Sequence, residues 1–327
     1  MRFGIFIPQG WRFDLVDIDP EQHWSTMQSL ALHADAGPWE SLWVFDHFHT
    51  TPIPSDEATH EAWTLMSAFA ASTARIRLGQ MCTCMGYRNP AYLAKVAATV
   101  DHVSAGRVEM GIGGGWYEHE WSAYGYGFPP VAERLAALGE GVEIMRQAWQ
   151  TGTATLQGKH FQVDGAICRP LPVQGGGIPF WIAGGGEKVT LKIAAKYASY
   201  TNFSGDREGF QHKSAVLRGH TDRIGRDFDE IVRSANYHTV IGETEAEVAD
   251  RLKAVRARLA PYLGDRIDGF MDSFTGSQGV GTVEQVTERL AAMGELGMAY
   301  AIHYFPEAAY DTTGIELFEE KVIPALA

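Results

Sequence analysis

Two short stretches set side chains able to move protons or hold charge at spacings that suit chemistry. "DHFH", residues 46–49, sets a carboxylate beside two imidazoles one residue apart. An imidazole changes charge near neutral pH, so His47 is a candidate general acid or base, with Asp46 beside it to orient it or to hydrogen-bond a ligand. The spacing of His47 and His49 also suits a metal that activates water, if later strands supply further ligands. His238 and His303 are the candidates, although "AIHYF" around His303 brings no carboxylate.

The second stretch is "GIGGGWYEHEW", residues 111–121. A dinucleotide fingerprint needs glycine at its first, third and sixth positions; Gly111 and Gly113 are followed at the sixth by Trp116, so the match fails. Two readings stay open: a structural turn, or backbone that a flat ligand approaches closely, walled by Trp116 or Tyr117. "AGGGEKVTLKIAAKYA" gives a clearer anion signal. Gly184, Gly185 and Gly186 precede a helical pattern of Val189, Ile193 and Tyr197, so free N–H groups and the positive helix end face a strand terminus. The Walker ending is missing. Cys82, Cys84 and Cys168 are odd in number and lack a C-x-x-C pair, which points to free thiols.

These residues need a scaffold that gathers them at one end. Short apolar runs at residues 3–7, 42–45, 76–81, 108–112, 180–183, 200–203, 231–239 and 299–304 alternate with longer helical patterns. Continuous apolarity is the mark of parallel strands covered on both faces, and about eight such units predict a single (β/α)8 TIM barrel, class α/β, over residues 1–327. A doubly wound open sheet is the rival. Helix signals are plain: Asn89 caps and Pro90 opens a helix with Leu93, Val96, Val100 and Val103 on one face, stopped by Gly106. Thr244 with Glu247, and Thr282 with Gln285, read as capping boxes. Residues 151–178 and 262–280 interrupt the alternation and are expected either as insertions at a functional face or as partly mobile segments.

The formal charge is −13, with 40 acidic and 27 basic side chains among 327 residues, which argues against nucleic acid. The opening "MRFGIFIPQGW" is too short an apolar run for a signal-peptide core, and no later run approaches a membrane span, so a soluble cytoplasmic protein is expected.

Taken in order, "ESLWVFDHF", "EAWTLMSAFAASTARIRLGQMCT", "RNPAYLAKVAATVDHVSAGRVEMGIGGGWYEHEWSAYG", "PFWIAGGGEKVTLKIAAKYA" and "GTVEQVTERLAAMGELGMAYAIHYF" resemble the luciferase-like monooxygenase superfamily over nearly the whole chain. The resemblance implies a barrel, usually dimeric, that binds coenzyme F420 or FMN at the strand carboxyl ends and acts on a small-molecule substrate. Its details resemble the deazaflavin branch. By that resemblance Asp46 contacts the coenzyme and His47 transfers the proton. A non-prolyl cis peptide falls at Met81 and Cys82, in a bulge continued by Thr83 behind the ring, with Trp116 and Tyr117 nearby and the phosphate at Gly184 to Gly186. The sugar-phosphate dehydrogenases carry a glutamate where Trp116 stands, which argues against a sugar-phosphate substrate and leaves Glu118 or His119 as the replacement proton donor. Trp11, Trp63, Trp116 and Tyr304 are candidates for an aromatic substrate pocket. The expected activity is hydride transfer between deazaflavin C5 and a small organic substrate. The alternatives are an FMN-dependent monooxygenase on the same barrel, a metal-dependent hydrolase using His47 and His49, and a flavin-binding protein without catalysis.

Overall fold

The computed structural model describes residues 1–203 and 205–327. All eight expected runs are strands: β1 (Arg2–Phe6), β2 (Ser41–Val44), β3 (Arg77–Gln80), β4 (Val108–Gly113), β5 (Phe180–Ala183), β6 (Tyr200–Phe203), β7 (Val232–Gly242) and β8 (Met298–Tyr304). Each pairs in parallel with the next, and β8 returns to β1, with Phe3 opposite Ala301 and Ile5 opposite His303. The sheet is therefore a closed barrel, not the open alternative.

Closure requires the interior to be filled. On β2, Leu42 and Val44 face the helices, whereas Ser41 and Trp43 point inward. The fully buried Trp43 indole fits because Gly4 on β1 and Gly79, its partner on β3, lack side chains. A Cβ on Gly4 would stand 2.6 Å from its Nε1, and one on Gly79 would fall inside its six-membered ring contact surface. Lower in the barrel, Trp181 stacks on Tyr200 at 4.0 Å and donates to buried Glu109 at 2.7 Å, while Arg77 pairs with the same carboxylate. Phe6, Phe45, Met81 and Tyr304 close the top of this interior and become the base of the mouth. Gly79→Ala should cost ~1–3 kcal/mol through overpacking against Trp43. Gly219→Ala, in the helix Arg207–Ile224 with open space around its Cβ, should be neutral or stabilising. Thermal denaturation of the two variants checks the contrast.

The capping signals hold with two refinements. Asn89 accepts from the amides of Ala91 and Tyr92 and opens the helix Pro90–Val103; Leu93 and Val100 are buried, but Val103 is exposed at the helix end. Thr282 and Gln285 form both arms of a capping box, whereas Glu247 turns its carboxylate to the Glu243 amide and leaves Thr244 with one arm.

The two interruptions lie at opposite ends of the barrel. Residues 151–178 contain an antiparallel hairpin, Thr153–Gln157 with Gln162–Ile167, between a helix and the following strand. Gln174 then bonds Arg77 and the Val108 carbonyl at the starts of β3 and β4, so this segment covers the amino-terminal end, away from the expected functional face. Residues 262–280 do belong to the mouth. After the helix Glu245–Leu263, the helix Ile267–Thr275 brings Phe274 against His238 and Tyr304, and Gly279–Thr282 extends beside the end of β7.

Candidate functional site

Asp46 follows β2 and is sealed from solvent. Its carboxylate accepts from both terminal nitrogens of Arg88, at 2.7 and 2.8 Å, and from the Cys84 amide at 2.8 Å. Asp46 thus ties the loop after β3 to the end of β2, and it also lines the smaller cavity of the mouth. That loop carries a cis peptide between Met81 and Cys82. Thr83–Cys84 then pairs beside β4 at Ile112 and Gly113, and the buried Thr83 hydroxyl donates to Gln80 at 2.7 Å.

The glycine run of residues 111–115 accommodates this bulge. A Cβ on Gly113 would lie 2.7 Å from the Cys82 sulfur, and one on Gly115, whose φ is +75°, would lie 2.5 Å from the Cys84 sulfur. Burial, then the neighbouring charge of Asp46, pushes the Cys82 thiol up to about 12, so it remains a neutral wall.

His47 stacks flat on Trp11, with centroids 4.2 Å apart and 6° between planes, and meets Trp116 edge-on at 5.5 Å. Its Nδ1 lies 2.9 Å from Glu120 Oε2. Glu120 is fully buried and also accepts from the amides of Phe48 (2.6 Å) and His49 (2.9 Å) and from the Tyr87 hydroxyl (2.9 Å). Burial pushes this carboxyl up, but the bond from His47 and the backbone amides outweigh it and hold the pKa below the ordinary range. An ionised Glu120 needs a proton on Nδ1, which leaves Nε2 as the nitrogen free for a ligand.

Glu120, not Glu118, is thus the carboxylate paired with the histidine. In the helix Glu118–Ala123 two residues turn the chain by roughly 200°, so Glu118 and His119 are exposed while Glu120 faces inward. The one sequence signal is the buried Trp121 beside it, which marks the inward side. Because folding lowers the Glu120 pKa, its ionisation stabilises the protein above the ordinary value of 4.5, and that contribution is lost as pH falls through the lowered value. Glu120→Gln should flatten this acid limb of a denaturation-midpoint profile taken from about pH 7 to about pH 3.

Two adjoining cavities open at the mouth and share Arg12 and Phe45. One, of about 350 Å³, is walled by Trp11, His47, Met81, Cys82, Gly115 and Trp116. The other, of about 390 Å³, lies over Phe6, Asn236, His238, Ser277 and Tyr304. Tyr117 stands behind Trp116, 5.2 Å away, and donates to the Thr50 carbonyl. Trp63 packs in the outer core instead of the mouth, so the aromatic pocket is Trp11, Trp116 and Tyr304 without it.

The histidines do not converge. His238 stacks on Phe274 at 4.1 Å, and burial, then the charge of Arg12, pulls it down to about 3. His303 points outward among Trp39 and Phe318, bonded to Thr239, and burial lowers it to about 3. Among the described residues no cluster of three or more His, Cys, Asp or Glu side chains is placed to hold a metal.

After β5, Gly184 (φ +111°) turns the chain toward the helix Thr190–Tyr197, whose N-terminus has no side-chain cap. Among the described residues the amides of Gly185 and Gly186 make no hydrogen bond within the protein. The Lys213 side chain lies against Gly185 and bonds Glu187 at 2.6 Å.

Fold and mouth define a (β/α)8 barrel that presents a histidine–carboxylate pair and an aromatic-walled cavity at its strand carboxyl ends. The chain belongs to the luciferase-like monooxygenase family, whose profile matches residues 1–300. It is 33% identical over 172 residues to an F420-dependent glucose-6-phosphate dehydrogenase of Amycolatopsis mediterranei, covering 51% of this chain and 48% of that protein. It is 30% identical over 225 residues to the pyrimidine monooxygenase RutA of Rhizobium rhizogenes, covering 67% and 58%. The chain thus spans about half the length of these relatives. Among solved structures it is similar in fold to an F420-dependent secondary alcohol dehydrogenase in complex with an F420–acetone adduct, with a TM-score of 0.80, 20% identity and 100% and 99% of the chains covered. The monooxygenase RslO1 of Streptomyces bottropensis gives a TM-score of 0.82 at 21% identity, with both chains fully covered. No helix among the described residues is long and apolar enough to cross a membrane.

Proposed function

We propose that the protein is an F420-dependent oxidoreductase acting on a small organic substrate, with His47 as its proton-transfer residue. The observation that carries this reading is the free Nε2 of His47, held by Glu120, at the edge of a cavity walled by Trp11, Trp116 and the Met81–Cys82 bulge.

The residues present fit the coenzyme. A cavity of about 350 Å³ bounded by flat rings, a thioether and a neutral thiol suits a planar tricyclic ring, and the amides of Gly185 and Gly186, unbonded among the described residues, with Lys213 beside Gly185, suit its phosphate. When bound, the deazaflavin supplies two-electron hydride chemistry at C5. Trp11 and the bulge fix the plane of the site, and Asp46 with Arg88 holds the bulge in place. His47 gives or takes the substrate's proton at Nε2. Glu120 keeps the other nitrogen protonated and stabilises the imidazolium when it forms.

The likeness to RutA and to RslO1 favours a second reading, an FMN-dependent monooxygenase on the same residues. Oxygen separates the two. Under the proposed function, turnover of alcohols, activated alkenes, imines or nitroaromatics with F420 proceeds equally well without oxygen. Oxygen uptake matched to product, with reduced FMN, would replace the proposal by the monooxygenase.

A further inference from the structure

Arg12 stands where the two mouth cavities meet, and among the described residues no carboxylate forms an ion pair with it. Its guanidinium carbon lies 4.5 Å from the Trp11 ring centroid, 5.4 Å from that of Tyr304 and 5.8 Å from that of Phe45. Its Nε is buried without a partner, and among the described residues the guanidinium makes no ion pair or hydrogen bond. Asp14 is near in sequence, but its carboxylate accepts from Gly10, Gln9 and the Tyr304 hydroxyl and is more than 4 Å away. Asp206 and Asp272, the acids bordering the larger cavity, are exposed at its rim, and Asp206 caps a helix.

An arginine does not shed its proton at this depth, so it remains a charge. Ring faces offset only part of what water gave it. A guanidinium with a buried, unpartnered Nε that opens into a cavity is a ready seat for an anion.

That anion has two conceivable sources, the substrate and the phosphate of the coenzyme. Their positions distinguish them. In the ring of eight strands, β1, which carries Arg12 on its following loop, lies four places from β5 in either direction. Gly185 and Gly186 follow β5, so their loop and the loop that carries Arg12 leave the barrel from opposite strands.

Resting on the oxidoreductase reading above, we propose that Arg12 selects the substrate class: a small organic acid whose carboxylate sits on the Arg12 guanidinium and whose apolar body lies along Phe6, Phe45 and Tyr304. Asn236 and Ser277 complete the polar side of the same cavity of about 390 Å³. His238 is neutral there and so neither competes for the anion nor adds to its attraction.

The test is calorimetric titration of the full chain with phenylacetate and with phenylacetamide, which match in shape and differ in charge. The wild type should prefer the acid on the order of 10²-fold. Arg12→Gln should bring the pair to near parity, and Arg12→Lys should keep part of the preference. Equal affinity of acid and amide for the wild type would overturn the proposal, and this comparison needs no variant to fold. F420 and its phosphate-free chromophore are then titrated into wild type and Arg12→Gln. Affinities unchanged by the substitution support a substrate role. Loss of affinity for F420 but not for the phosphate-free form would assign Arg12 to the coenzyme and overturn it. Failure of either chromophore to bind the wild type, with the acid preference intact, would sink the oxidoreductase reading and leave the Arg12 anion site standing.

Discussion

His47→Asn lowers turnover by about 10²–10⁴-fold, the range for loss of a positioned proton-transfer group, while F420 affinity stays close to that of the wild type. Asparagine keeps a polar planar group against Trp11 and a donor toward Glu120, so the packing of the cavity wall changes little. It has no nitrogen that gains and loses a proton near neutral pH, so only the chemical step suffers. Steady-state rates beside a fluorescence titration of the coenzyme separate the two effects. Parallel losses of turnover and affinity would make His47 a structural wall. Glu120 acts through His47 and is a positioning residue. Its removal should also displace the acid limb of the activity profile, since the imidazolium loses its counter-charge.

Arg88→Met has the larger effect on stability. Asp46 keeps only the Cys84 amide once the guanidinium is gone, and the side chain of Asp46 has no solvent to turn to. Leaving a buried charge without its partner costs on the order of 3–5 kcal/mol. With an unfolding entropy near 2.1 cal/mol/K per residue, the melting temperature of a chain this long should fall by roughly 5 °C. Arg88 also bonds Glu61, so the end of β2, the bulge after β3 and the helix Ala62–Ser72 loosen together. Coenzyme affinity should decline with stability, because the bulge is the wall that Asp46 holds. Calorimetry of the melting transition with and without F420 checks both consequences. An unchanged melting temperature would mean that the pair at Asp46 is replaceable by water.

The eight strands were legible because apolar runs and helix caps are local signals. His47 stood out for a different reason, as an imidazole beside a carboxylate at a strand end, and it does line a cavity at the mouth. Glu120 was not, since it meets His47 from 73 positions away and only the turn of a short helix decides that it points inward while Glu118 points out. Arg88 and Arg12 were equally hidden. Neither arginine carries a local signal of its own, and only tertiary packing reveals that Arg88 pairs with two carboxylates and that Arg12, among the described residues, pairs with none. Composition misled at residues 151–178, where glycine and proline mark a hairpin and its connections but carry no information about which end of a barrel they cover.

In the proposed complex a deazaflavin lies across the mouth between Trp11, the Met81–Cys82 bulge and the amides of Gly185 and Gly186. Equilibrium titration of the purified protein with F420 and, separately, with FMN tests it most directly. One F420 per chain, bound more tightly than FMN and weakened by Trp11→Ala, is the predicted result. Tighter binding of FMN, or no binding of either, would contradict it.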